Sequence, residues 1–261
     1  AGTGALVLKT GDSAESRAGS IALTVGKSAA EDGAAITLRS GDSEAVSTRG
    51  GDIIARAGNG LNTDAADGGD GGNILLQAGA AYGAGKGDIG GAVGILSGDS
   101  IIGNGGKVSI QAGQSVQGSS GSVEVLTKDA GESGVSGHVS IATGIASGGA
   151  SGSIVLSTGG AIDGSAGDIL VDVGTGDFGD GGNVLINAGR SSAQGQSGGE
   201  VRIVGGEGSS THTMNGGNGG DISLIGGAAK GLSGVDDGGD VIVRGGSAYA
   251  GAGGNLLMQS G

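Results

Sequence analysis

Two stretches rich in aspartate and glycine carry the side chains best suited to chemistry. The first contains Asp64 and the run DGGDGGN at residues 67–73, and a related run, NGGNGGD, follows at residues 215–221. Carboxylate and carbonyl oxygens are the ligands that Ca²⁺ prefers, so Asp64, Asp67 and Asp70 form a candidate calcium site. Asp, Asn and Gly are also the residues that form tight turns by binding their own backbone. The pattern therefore predicts structural turns and, as the alternative, a cation site.

These two runs resemble the Gly/Asp-rich calcium repeats of secreted toxins. In that family, carboxylates and carbonyls of adjacent turns share a Ca²⁺. The resemblance implies calcium as the one cofactor to be considered, and no other cofactor is predicted.

No group of side chains has the composition of an enzyme active site. His138 and His212 lie far apart in the sequence, and there is no cysteine to complete a metal site with either of them. Serine is abundant, but there is no Gly-x-Ser-x-Gly elbow with a base and an acid placed beside it. Gly-rich stretches such as residues 87–91 lack the Lys-Ser/Thr pair of a phosphate-binding loop. We therefore expect a protein that is not an enzyme.

Composition and charge exclude several classes of partner. Asp and Glu outnumber Lys and Arg by 26 to 13, which gives a formal net charge of −13. Such a chain repels nucleic acid and anionic membrane surfaces. No apolar run reaches the roughly 18 residues that a membrane-spanning helix needs. Neither nucleic-acid binding nor membrane insertion is expected.

One phrase recurs from end to end of the chain and defines its elements. It consists of a small or polar residue, then apolar-x-apolar, two further residues and Gly, as at residues 20–26, 107–113 and 183–189. The phrase occurs sixteen times. Its closing residues are Gly11, Gly26, Gly41, Gly58, Gly79, Gly98, Gly113, Lys128, Gly144, Gly159, Gly174, Gly189, Gly206, Gly227, Gly246 and Gly261. Only Lys128 departs from the rule.

The repeats form a larger unit of 148 residues. The steps between closing residues run 15, 15, 17, 21, 19 and 15, and the same series returns nine repeats later. Residues 1–113 therefore match residues 149–261. Many side chains differ between the two copies, but loop length is kept, as expected when each turn stacks on a neighbour of matching outline.

The phrase has the period of a β-strand with one buried face, because its apolar residues alternate, as in Ile154 and Leu156. The third inward position is small, as in Ala78 and Ala112, and a further small residue after the closing Gly predicts a second, thinner strand or arm. Coils of mostly 15 residues with Gly at the corners predict an all-β fold. We expect a flattened β-solenoid of about sixteen coils, continuous over residues 1–261.

Several outward strand positions hold apolar residues that neighbouring coils would bring together. They form three stripes: Ile54 with Leu75, Val155 with Leu170 and Leu185, and Ile242 with Leu257. Contiguous apolar stripes on a solvent face usually mark a contact surface. We expect this assembly surface to pack laterally against another copy or protein, or to be covered by long loops of the same chain.

Neither end of the repeat pattern carries a capping segment. The pattern starts and stops without an amphipathic helix or a proline. Naked solenoid ends are edge strands that pair readily. We therefore expect either flanking repeats in a longer chain or end-to-end self-association of copies.

Phrases such as KVSIQAG at residues 107–113 and NVLINAG at residues 183–189 resemble the repeats of filamentous-haemagglutinin-type adhesins. The whole chain is also similar to Gly/Ser-rich repeat proteins predicted on algal cell surfaces. The resemblance implies an extracellular or cell-surface fibre and assigns no functional residues. Our leading hypothesis is a structural segment of an extracellular filament, sheath or appendage. The alternative is a surface adhesin whose long loops, residues 59–72 and 207–220, bind a ligand.

Overall fold

The computed structural model of the chain describes residues 3–261. Within this range no residue belongs to an α-helix or a β-strand, and the local structure consists of turns and bends between irregular stretches. None of the described chain forms a helix with the length and apolarity needed to cross a bilayer. The chain divides into two units, Ala1–Val139 and Ser140–Gly261. A β-solenoid is defined by hydrogen-bond ladders between stacked strands, so the predicted solenoid and its continuity stay predictions.

Exposure is high along the whole described chain, and no side chain in residues 3–261 is buried. The accessible surface is 26040 Å² for a mass of 24.0 kDa. A compact monomer of this mass exposes about 9,900 Å², and a fully extended chain exposes about 35,000 Å². The apolar side chains of the phrases are therefore accessible for contact with other coils or with other molecules.

Within the phrases, exposure differs between neighbouring positions. Ile154 is 53% exposed, whereas Val155, which follows it, is 79% exposed. Ile169 and Leu170 show the same difference, with 57% and 86%. The residue assigned as outward from the sequence is thus more exposed than the inward residue before it.

Each phrase is joined to the next by a segment that we call an arm, and the two ends of an arm face each other at a neck. An arm starts at the closing residue of one phrase and ends at the residue that precedes the next phrase, which is Gly in every arm except 26–34, where it is Ala34. At nine necks the N–H of that Gly donates to the carbonyl of the closing Gly, with N···O distances of 2.8 to 2.9 Å. These closed necks join Gly51 to Gly41, Gly72 to Gly58, Gly91 to Gly79, Gly106 to Gly98, Gly121 to Gly113, Gly199 to Gly189, Gly220 to Gly206, Gly239 to Gly227 and Gly254 to Gly246.

Branching of the residue before the closing residue distinguishes the other necks from the closed ones. This residue is Ala, Ser or Gly at the nine closed necks, namely Ser40, Ala57, Ala78, Ser97, Ala112, Ala188, Gly205, Gly226 and Gly245. It is β-branched at the other six, where residues 3–261 form no such backbone bond: Thr10, Val25, Thr127, Thr143, Thr158 and Val173. At one of the six, Val173 Cγ1 lies 2.8 Å from the place that a Cβ on Gly182 would take. We call these six open necks.

The residues before the closing Gly also supply most of the partial burial in the chain. Eight residues of the described range are half-buried, and six of them hold this position. The six are Thr10, Ser40, Ala57, Ala78, Gly205 and Gly226. The necks are therefore the most closely packed points of the described structure.

The 148-residue repeat reappears in the backbone hydrogen bonds. The closed necks of arms 41–51, 58–72, 79–91 and 98–106 have counterparts in arms 189–199, 206–220, 227–239 and 246–254. Each counterpart lies 148 residues further along and closes an arm of the same length. The open necks at Thr10 and Val25 correspond in the same way to those at Thr158 and Val173. The match between the two copies thus extends from arm length to neck type.

Candidate functional site

The first long arm, residues 58–72, is built around Asp64. Its Oδ1 accepts the backbone N–H of Ala66 at 2.9 Å and that of Asp67 at 3.1 Å. These two hydrogen bonds hold the pKa of Asp64 below its ordinary value, because they stabilise the charged carboxylate. The residues that flank this turn are also joined, because the N–H of Gly69 donates to the carbonyl of Asn62 at 3.0 Å. Asp64 therefore serves as the acceptor of its own turn.

The three aspartates of the predicted calcium site all lie in this arm. Residues 3–261 contain no group of three or more His, Asp or Glu side chains that could hold a metal ion. Oδ1 of Asp64 is directed to backbone N–H groups, which is the structural-turn arrangement. A calcium site at Asp64, Asp67 and Asp70 stays a prediction.

The second long arm, residues 206–220, has the same construction around a different residue. His212 stands 148 residues after Asp64. Its Nδ1 accepts the N–H of Asn215 at 3.2 Å and that of Met214 at 3.4 Å. An imidazole nitrogen thus takes the place of a carboxylate oxygen at the centre of an otherwise equivalent turn.

Both long arms have a close approach of their two backbone segments between the turn and the neck. Gly60 lies against Gly69 in the first arm, and Gly208 lies against Gly217 in the second. A Cβ added to Gly60 or Gly208 would overlap the backbone on the opposite side of the arm, so only Gly permits this approach. The N–H of Gly217 also donates to the carbonyl of Ser210 at 3.0 Å, as its counterpart does in the first arm.

Two further aspartates serve turns in the arms that follow. Oδ2 of Asp88 accepts the N–H of Gly85 at 2.8 Å, and Oδ2 of Asp236 accepts the N–H of Ser233 at 2.8 Å. The two carboxylates are 148 residues apart and make the same bond. Acidic side chains in both copies therefore bind local backbone.

Short arms use serine for the same purpose. The Oγ atoms of four serines accept the backbone N–H three residues later at 2.8 to 3.2 Å: Ser13, Ser28, Ser100 and Ser115. These residues lie where the sequence predicts a second, thinner strand or arm, and in the described structure each one caps a turn. Recurrence of Ser two residues after the closing Gly is the sequence signal that identifies these caps.

The residues of the predicted assembly surface are all exposed. Their exposed fractions lie between 64% and 86%, and the set comprises Ile54, Leu75, Val155, Leu170, Leu185, Ile242 and Leu257. Other large apolar residues of the phrases are exposed as well, so exposure alone does not distinguish these stripes. Their role in assembly stays a prediction.

Comparison of the chain with protein-family models, curated proteins and solved structures yields no match. Residues 3–261 also enclose no cavity.

Proposed function

We propose that the protein is a structural segment of an extracellular filament, sheath or appendage, in which β-coils stack as a solenoid along the filament axis. The observation that carries the proposal is the closed neck, repeated nine times in arms whose lengths return after 148 residues. Repetition of one unit with nearest-neighbour contacts is typical of quasi-one-dimensional proteins. Such proteins extend a structure by adding units.

The exposed phrases support stacking as the way in which the chain is stabilised. An accessible surface of 26040 Å² includes apolar residues such as Ile154 and Ile169 that are inward in the predicted coil. Burial of apolar surface contributes roughly 25 cal/mol per Å². Neighbouring phrases placed about 4.8 Å apart would cover these side chains and pair the backbone. Copies stacked end to end would extend the same contacts beyond one chain.

The acidic composition supports an extended assembly in water. A net charge of −13 repels like-charged copies and favours solubility. Cations would reduce this repulsion through screening. Lateral association through the assembly surface should therefore strengthen as ionic strength rises.

The test is electron microscopy of the native material, together with fibre diffraction. We expect long rods with a reflection near 4.8 Å and an axial repeat of roughly 43 Å, which is nine coils at the strand spacing. Short single particles without an axial repeat would contradict the proposal and favour the adhesin. Dissolution of the rods by a calcium chelator would add a cation site to the proposal.

Matched variants test the lateral contact separately. Leu170→Lys places a charge within the assembly surface, and Thr24→Lys places the same charge at an outward position outside the stripes. We expect Leu170→Lys to reduce bundling of rods and Thr24→Lys to leave it unchanged, with the axial repeat kept in both. Equal bundling in the two variants would exclude the stripes as the lateral contact.

A further inference from the structure

The tip of arm 206–220 is closed by a side chain that can gain a proton. Nδ1 of His212 accepts two backbone N–H groups, from Asn215 at 3.2 Å and Met214 at 3.4 Å. In the equivalent arm 58–72, a carboxylate oxygen of Asp64 accepts the corresponding pair. Two turns of the same geometry therefore depend on acceptors of different acid–base chemistry.

From this juxtaposition we propose that arm 206–220 is a proton-operated turn, which opens when His212 is protonated while arm 58–72 stays closed. In neutral imidazole one nitrogen carries the proton and the other accepts, so an accepting Nδ1 requires the Nε2–H tautomer. Protonation adds an N–H at Nδ1 and turns the acceptor into a donor. The N–H groups of Met214 and Asn215 then face a donor and lose their partner.

Histidine is the side chain whose charge changes most readily between about pH 5 and pH 8. A carboxylate remains an acceptor throughout that range. The backbone hydrogen bonds that lower the pKa of Asp64 extend its range as an acceptor further into acid. The two copies should therefore respond differently to the same mild acidification.

The arm that contains His212 carries few charged groups. The side chain of His212 is exposed, and the only other titratable residue of the arm is Glu207. Asn215 and Asn218 stand where the first arm has Asp67 and Asp70, so the turn itself carries no carboxylate. The backbone next to His212, where a Cβ on Gly216 would lie 3.3 Å from the carbonyl oxygen of His212, is uncharged.

His212 has no ion-pair partner within the part of the chain that the structure describes. A carboxylate held against the imidazolium could otherwise have kept the protonated turn closed. The structure provides no such compensating contact in residues 3–261, and the proposal concerns this arm alone, so it stands independently of filament formation.

The experiment is hydrogen–deuterium exchange of the full chain, read by mass spectrometry in peptides that cover arms 206–220 and 58–72. Wild type and His212→Asp are compared at the same pH, near 7.5 and near 5, so that the intrinsic pH dependence of exchange cancels. Loss of two hydrogen bonds should make the wild-type arm exchange about tenfold faster than the variant arm near pH 5. Near pH 7.5 the two should exchange alike.

Three controls keep the proposal falsifiable. His138→Gln removes the other histidine and should leave the tenfold difference unchanged. Arm 58–72 of the same wild-type molecule should show no acid-dependent loss of protection, which gives a comparison even if His212→Asp does not fold. Imidazole ¹⁵N shifts should show the Nε2–H tautomer of His212 near neutral pH. The same pH dependence in both arms, or an Nδ1–H tautomer, would overturn the proposal.

Discussion

The two copies of the repeat, residues 1–113 and 149–261, close the same arms with different side chains. In the first copy, the Cβ of Ala78 lies 3.3 Å from the place that a Cβ on Gly91 would take. In the second copy, the equivalent residue is Gly226, and a Cβ there would overlap the carbonyl oxygen of Gly239. Both necks nevertheless form the Gly–Gly bond, at 2.9 Å and 2.8 Å.

The same substitution of Gly for a small residue occurs at the two neighbouring closed necks. Ala57 and Ser97 of the first copy correspond to Gly205 and Gly245 of the second. A Cβ on either of these glycines would also overlap the backbone across the neck. The size class of the neck residue is therefore kept, while its identity and the approach of the two backbones differ.

The largest effect is expected from Gly226→Ala, which gives the second copy the residue of the first. The new Cβ would meet the carbonyl of Gly239, so the neck would have to widen and the N–H of Gly239 would lose its acceptor. We expect a local loss of about 1–3 kcal/mol. Faster amide exchange of Gly239 by NMR would report it, with Ala78→Gly as the reciprocal change that leaves its own neck closed. Unchanged exchange in Gly226→Ala would show that the tighter approach is dispensable.

Conversion of a closed neck into an open one should have the next largest effect. Ala78→Val introduces the β-branched side chain found at Val25 and Val173. Loss of one backbone hydrogen bond should cost about 0.5–1.5 kcal/mol. The readout is amide exchange of Gly91, and Ala78→Ser is the matched control, because Ser occurs at other closed necks. If Val and Ser behaved alike, the rule that branching opens the neck would be wrong.

A smaller effect should follow from Ser47→Gly, which gives the first copy of the repeat the residue that the second copy has at this position. Ser47 has φ 60°, and its counterpart Gly195 has φ 72°. The left-handed region costs a residue with a Cβ roughly 1 kcal/mol or more, part of which is offset by the greater freedom of Gly in the unfolded chain. We expect slower amide exchange of Gly51 in Ser47→Gly and faster exchange of Gly199 in Gly195→Ala. Faster amide exchange of Gly51 in Ser47→Gly, or slower amide exchange of Gly199 in Gly195→Ala, would contradict the backbone strain at Ser47.

The smallest effect concerns the acid response of arm 58–72, because Asp64 is fully exposed. A pKa lowered in the folded arm means that the carboxylate stabilises the turn above its ordinary pKa. That contribution is lost as pH falls through the lowered value. The carboxyl ¹³C shift of Asp64 should titrate below the ordinary range, and Asp64→Asn should keep the turn in acid, because its amide oxygen still accepts. A midpoint at or above the ordinary value would contradict the hydrogen bonds to Ala66 and Asp67.

Turns are the feature that the sequence predicts best. Asp64 lies in a run of Asp and Gly, and the structure gives its carboxylate the turn bonds that this composition favours. The serines after the closing Gly recur in the sequence, and the structure uses them as turn caps, while the second, thinner strand or arm expected there stays a prediction. His212 belongs to no sequence motif. Only its position, 148 residues after Asp64, indicates that it accepts the hydrogen bonds of a turn. The outcome at Asp64 follows from the short range of the interaction, because its turn bonds join residues two or three apart.

By itself, the sequence determined the phrase, the arm lengths, the 148-residue period and the small size of the residue before many closing glycines. It did not determine which necks close, because that depends on two backbone segments meeting across an arm of up to 15 residues, as Gly58 and Gly72 do. A β-branched Thr or Val and a small Ala or Ser read alike as inward residues of a strand. Only the tertiary structure shows that the necks with a β-branched residue at this position lack the backbone hydrogen bond that the necks with Ala, Ser or Gly form.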